Sequence, residues 1–400
     1  MRNIRFFCAA LALSLVLAPL SPSARAVEAQ PLLPSVREYA GAFSDVTGSW
    51  CERYVETVYE AGLMDGTSAE RFDPDSSLTY AQITAITARL SSLLGGEDGA
   101  FPPPEDGEAW YQPCAAYLSE TCDDEMVHAL LKNLSLLPQY PTAACIRRDF
   151  VWMLAGVLPD TALPPINEVS CVIDSVDQGV PAFYRAGILN GLDAYGSFGG
   201  EASLTRGAAA AMLSRIVDPA QRLHFTLKSF DLCRDILQVS PDTVLLTVGE
   251  RDVTAALFAN QLCTSLYQRG GPADNALADA IRFWCLYHAP VPVMAEEKGI
   301  LLSRQELADI SQSAQSMDGY LGLSSEYWQY EHTSTALNLQ LRDLYCQADW
   351  KTGESLYHSD LERLSQSLLE TAAPSAALRA MDLSAVYHRL TASPFAHWTD

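Results

Sequence analysis

The sequence predicts a mainly α-helical protein in two parts. Helix–loop–helix repeats fill residues 40–218, and a second, mostly helical domain with one small β-hairpin fills 220–400. Three observations carry this. A motif around Gly62 recurs around Gly187, 125 residues later, which leaves room for two periods of about 62. Apolar residues recur at helical spacing beside these motifs. Beyond residue 240 one strand–turn–strand pattern is followed by a series of helix starts led by Ser or Thr.

Composition narrows the classes. The chain has 400 residues, 48% hydrophobic and 19% charged, enough for two or three cores and too apolar for a disordered chain. Lys+Arg is 26 against Asp+Glu 49, a net charge of −23, and no stretch gathers positive charge. A nucleic-acid partner is therefore not expected, nor is a polybasic membrane surface.

Residues 1–26 read as a secretory signal peptide. Arg2 and Arg5 precede an apolar run from Phe6 to Leu20, and Ala24-Arg25-Ala26 supplies the cleavage pattern before Val27. The run is short for a span of ~20 residues, so cleavage is expected rather than anchoring. Cys8 lies inside the apolar run, with no lipoprotein pattern. The exported chain is expected to be soluble or wall-attached, with no integral span.

Nine cysteines follow the leader: Cys51, Cys114, Cys122, Cys145, Cys171, Cys233, Cys263, Cys285 and Cys346. They form no CxxC and no Cys/His cluster, so no metal site is expected. The favoured reading is small buried apolar residues, with pairing of some of them the alternative.

The repeat unit starts near Phe43-Ser-Asp45 in copy one and at Ile173-Asp174 in copy three. An apolar stripe through Val55, Val58, Ala61 and Leu63 predicts a first helix, which Gly62 is placed to end; Gly187 has the same role in copy three. Phe72-Asp-Pro74-Asp is a turn-rich loop. Thr79 and Thr205 then stand where N-caps belong, before Ala-rich second helices. The middle copy is degenerate: Trp110, Leu134 to Pro138, and Ile146-Arg147-Arg148-Asp149-Phe150, without the two glycines and with much of the loop lost.

These residues resemble the S-layer homology (SLH) repeat, with copies at 40–95, 96–160 (degenerate) and 166–218. The resemblance implies a pseudo-threefold helical bundle with grooves between repeats. It also implies binding to a secondary cell-wall polymer, often through a pyruvate ketal, or to peptidoglycan, and a location at the cell wall or S-layer. The polymer-binding set implied is Arg206, Arg147, Tyr80, Asp45, Asp174, Thr79, Thr205, Gly62 and Gly187. Arg206 holds the arginine position of the family's TRAE-type motif and would grip a ketal carboxylate with its planar fork. Arg147 aligns with it in copy two. Tyr80 replaces it in copy one, where it could stack on a sugar or donate its hydroxyl. Asp45 and Asp174 also read as helix caps. Trp50 and Trp110 read equally as sugar-stacking or core residues. Because the acidic surface repels an anionic polymer, binding is expected to rest on local arginines in a groove.

After Ala220, Asp242 to Thr254 reads as a strand, a Gly turn at Gly249 and a second strand, with Thr254 capping a helix. Further helices are expected at about 273–288, ended or kinked by Pro290 and Pro292, from Ser303 with a Ser303/Glu306 capping box, from Ser324 through Tyr345, and at 356–371 and 375–390. The order resembles the N-terminal domain of SurA/PrsA-type chaperones, on Val248-Gly249 through Phe258 and on Ala295 to Glu306. About ten residues separate Cys346 from the next helix, too few for an inserted parvulin domain. The resemblance implies holding of unfolded exported polypeptides without isomerase chemistry. Trp284, Tyr287, Tyr320, Tyr327, Trp328, Tyr330 and Tyr345 then read either as an open cradle or as aromatic core. A structural or adhesive wall protein is the alternative. No catalytic motif, cofactor or paired histidine site is found, so no enzyme is expected.

Overall fold

The computed structural model describes residues 31–177, 179–271, 275–347 and 349–395. The leader reading of residues 1–26 lies outside them. Among the described residues there are fifteen α-helices and one three-stranded sheet. None of these helices is long and apolar enough to cross a membrane.

Helix α1 (Glu52–Glu60) buries Tyr54, Val55 and Val58 and ends at Gly62, whose φ of +73° only glycine adopts without strain. Helix α2 (Tyr80–Leu94) starts at a complete capping box, Thr79 with Gln82. Next come α3 (Gln112–Thr121), α4 (Glu125–Leu136) and α5 (Arg147–Val157), so the middle segment holds two helices before the one led by its arginines. Helix α6 (Val180–Arg185) closes at Gly187, φ +72°, and α7 (Arg206–Val217) is capped by the Thr205 hydroxyl, which accepts from the Ala208 N–H. These helices share one apolar core running from Leu33 to Val217.

Three short segments hold this part together. Ser77 bridges to Thr205, Thr79 to Ala144, and Ile146 to Ser203, so each segment leading into α2, α5 or α7 pairs with the other two. Tyr80 N–H donates to Ala143 O, Arg147 N–H to Ala202 O, and Arg206 N–H to Ser76 O.

The second part has its own core, which also takes in Ile173. Strands β1 (Val244–Val248) and β2 (Arg251–Thr254) form the expected antiparallel hairpin over Gly249, φ +61°. Helix α8 (Ala255–Gln268) begins after Thr254 as expected, but the Thr254 hydroxyl is buried without a partner and caps nothing. The helix expected at 273–288 is α9 (Ala276–Phe283) followed by a wider π-turn over Trp284–His288. The helical stretch ends at His288, just before Pro290 as expected, and Pro290 then opens α10 (Pro290–Glu297), since an N1 residue needs no N–H. Helix α11 (Arg304–Ser316) starts at the expected Ser303/Glu306 capping box. Helix α12 (Ser325–Cys346) follows Ser324, and only residues 347–349 separate it from α13 (Trp350–Thr371). Strand β3 (Ala373–Pro374), which the sequence does not announce, pairs with β1 before α14 (Ala376–Ala380) and α15 (Leu383–Thr391).

All nine described cysteines are free thiols, seven of them buried. Burial pushes the Cys285 thiol up to about 11 and the Cys233 thiol up to about 12. These are inert packing groups.

Candidate functional site

Asp45 and Asp174 do not cap α1 and α6. Each carboxylate reaches across the helix that follows it and takes two loop amides. Asp45 accepts from Phe72 N–H (2.9 Å) and Asp73 N–H (2.7 Å); Asp174 accepts from Phe198 N–H (2.6 Å) and Gly199 N–H (2.8 Å). The two acids therefore set the loop that follows each first helix. The same arrangement in both places is the strongest structural likeness between them.

Arg206 is 7% exposed. Its Nε–H donates to Phe72 O (2.8 Å), an Nη2–H donates to Asp65 O (2.6 Å), and the guanidinium lies 4.6 Å over the Phe72 ring. The residue expected to grip a ligand thus ties α7 to the first loop, and burial lowers its pKa. Arg147 lies 5.6 Å from the Phe198 ring, with Nε buried and unpartnered, and burial lowers its pKa as well. Tyr80 is 8% exposed, stacks on Tyr140 at 4.0 Å and donates its hydroxyl to Asp149 (2.6 Å). Neither its ring nor its hydroxyl is turned to solvent. Trp50 and Trp110, by contrast, are more than half exposed, so core packing does not account for either.

A groove of about 580 Å³ opens beside α5. On one side stand Arg148, Val151 and Trp152 of α5; on the other lie the 174–180 and 198–201 segments; Tyr320 of the C-terminal part adds a third wall. Arg148 N–H donates to Gly200 O (2.9 Å), as Gly207 N–H donates to Pro74 O (2.8 Å) at the equivalent start of α7. The position that carries Arg148 in α5 is thus Gly207 in α7. There Trp50 lies 3.2 Å from the point a Cβ would occupy, and a side chain has little room. Among the three helix starts this register places a cation in a groove only at α5.

The groove chemistry follows from a few side chains. The Arg148 guanidinium lies 4.8 Å over the Trp152 ring, is paired with Glu201, and holds Asp149 at 3.5 Å. The Trp152 indole N–H donates to Asp177, which also accepts from Gly179 N–H (2.8 Å). Tyr320 is set by Leu321, whose φ is +53° and whose N–H donates to Ile173 O (2.7 Å). Burial, with Asp174 nearby, raises the Tyr320 phenol pKa. Two aromatic side chains flanked by acceptors and one fork donor suit a ring that has one apolar face and several hydroxyls. Sequence reasoning named Asp174 in this set and passed over Arg148, Trp152, Asp177 and Glu201. The doubled Arg147-Arg148 was the available signal, since only one of two adjacent helical arginines can face inward.

The family model of the S-layer homology domain matches residues 42–84. No curated protein and no solved structure matches the chain. The matched segment runs from just before Phe43 into α2 and points to association with the cell wall or S-layer.

Proposed function

We propose that the protein is anchored at the cell surface by residues 40–218, which bind a wall polymer in the groove between α5 and the 174–201 segment. The observation that carries this is the pair Arg148 over Trp152, facing Asp177 and Glu201 in a groove of about 580 Å³. Three SLH-type repeats about a pseudo-threefold axis account for the bundle; the three mutual bridges and the twin roles of Asp45 and Asp174 support that reading. The full chain should sediment with purified walls and lose retention once the secondary polymer is extracted. Trp152→Ala should lose at least tenfold in retention, and equal retention on intact and extracted walls would sink the polymer reading.

The C-terminal part is better read as a closed structural unit than as an open holdase. Trp284 and Tyr327 are buried, and Trp284 is sandwiched by His288 (4.9 Å) and Tyr330 (5.5 Å). Tyr330 donates to His288 O and Tyr345 to Asp360. Of the seven aromatics that could line a cradle, Tyr287 alone is largely exposed. Two modest grooves lie in this part, one of about 330 Å³ along β2 and Trp284 and one of about 340 Å³ beside Tyr345, the second edged by charged side chains. On this reading the full chain in severalfold excess leaves aggregation of a denatured client unchanged; clear suppression would restore the chaperone reading.

A further inference from the structure

We propose that the α5 groove selects a saccharide unit without negative charge, and discriminates against a pyruvylated or otherwise anionic one. This rests on the polymer-site reading above and adds the charge class of what the site takes.

The argument is charge complementarity. Four carboxylates line the groove, Asp124, Asp174, Asp177 and Glu201, against one guanidinium, Arg148. The sum is 1 − 4 = −3. That guanidinium is already shared between Glu201 and Asp149, so an incoming carboxylate must displace one of them to be gripped. The two other arginines expected to receive an anion do not line this groove: Arg206 is held by two backbone carbonyls, and Arg147 is half-buried with its guanidinium 5.6 Å from the Phe198 ring. Among the described residues no second cation lines the groove. An anionic sugar would therefore enter a field of its own sign, in a molecule whose net charge is −23.

A neutral sugar meets the opposite situation. Ionised carboxylates only accept, and Asp177 and Glu201 retain lone pairs beyond their present partners, so hydroxyl or amine donors complete them. The Trp152 and Tyr320 side chains line the groove with apolar surface for the apolar side of a pyranose. Arg148 keeps N–H donors for a ring or hydroxyl oxygen. Asp124 and Asp174 are committed to amides, Asp124 capping α4 through Met126 and Val127 N–H, so they contribute field more than contacts.

Titration calorimetry on the full chain decides it. The probes are an N-acetylhexosamine disaccharide, the same disaccharide carrying a pyruvate ketal, and the same with one free amine. The neutral and amine forms should bind at least tenfold more tightly than the ketal. Glu201→Gln and Asp177→Asn, isosteric changes at partly exposed sites, should each weaken the neutral sugar severalfold; the double variant should narrow the discrimination against the ketal. Equal or tighter binding of the ketal, lost in Arg148→Ala, overturns the charge assignment while leaving the polymer site standing. Binding of none of the three overturns the site and the charge assignment together.

Discussion

Arg206 shows how one side chain can hold a motif position and serve the fold. Its two charge-assisted bonds to Phe72 O and Asp65 O span from α7 to the first loop, and both carbonyls lose their partner when it is removed. Arg206→Ala should cost about 3 kcal/mol, read as a lower urea midpoint. Arg206→Lys should recover less than half, because one ammonium cannot reach both oxygens in the fork geometry. A loss under about 1 kcal/mol would show that the contact carries little. Asp45 and Asp174 belong to the same lesson. An aspartate shortly before a helix reads as a cap, yet both carboxylates serve a loop more than twenty residues later. Such long-range acceptance leaves no local spacing for sequence reasoning to find.

At the scale of elements, the local signals were read well and the packing signals less so. Thr79, Thr205 and Ser303 cap where expected because an N-cap needs only its own hydroxyl and an amide three residues on. Thr254 and Ser324 stand at helix starts without capping bonds, because their buried hydroxyls found no partner. Strand β3 was invisible because two residues carry no periodicity. The helix-ending glycines separate local strain from packing. At Gly62 a Cβ would meet only a Val36 methyl at 3.2 Å, whereas at Gly187 it would lie 2.5 Å from Leu223 O and 2.8 Å from Ile166. Gly62→Ala should therefore cost about 1 kcal/mol, the left-handed backbone alone, and Gly187→Ala about 3 kcal/mol. Thermal unfolding of the two variants checks the order; equal losses would mean that the Leu223 contact relaxes freely.

At the scale of the molecule, the two parts meet where the groove closes. Leu321 N–H donates to Ile173 O and the Cys171 thiol to Asp318 O, which brings Tyr320 against the 174–180 segment. The helical class was legible from apolar spacing. The groove was not, because it is assembled from α5, a loop some thirty residues later and a tyrosine 168 positions beyond Trp152 (320 − 152). Amide hydrogen exchange on the full chain, with and without solubilised wall polymer, tests the central claim most directly. The account predicts added protection at 147–157, 174–201 and 319–322. Protection confined to α8–α13, or to the Trp50 and Gly207 side of the bundle, would contradict it.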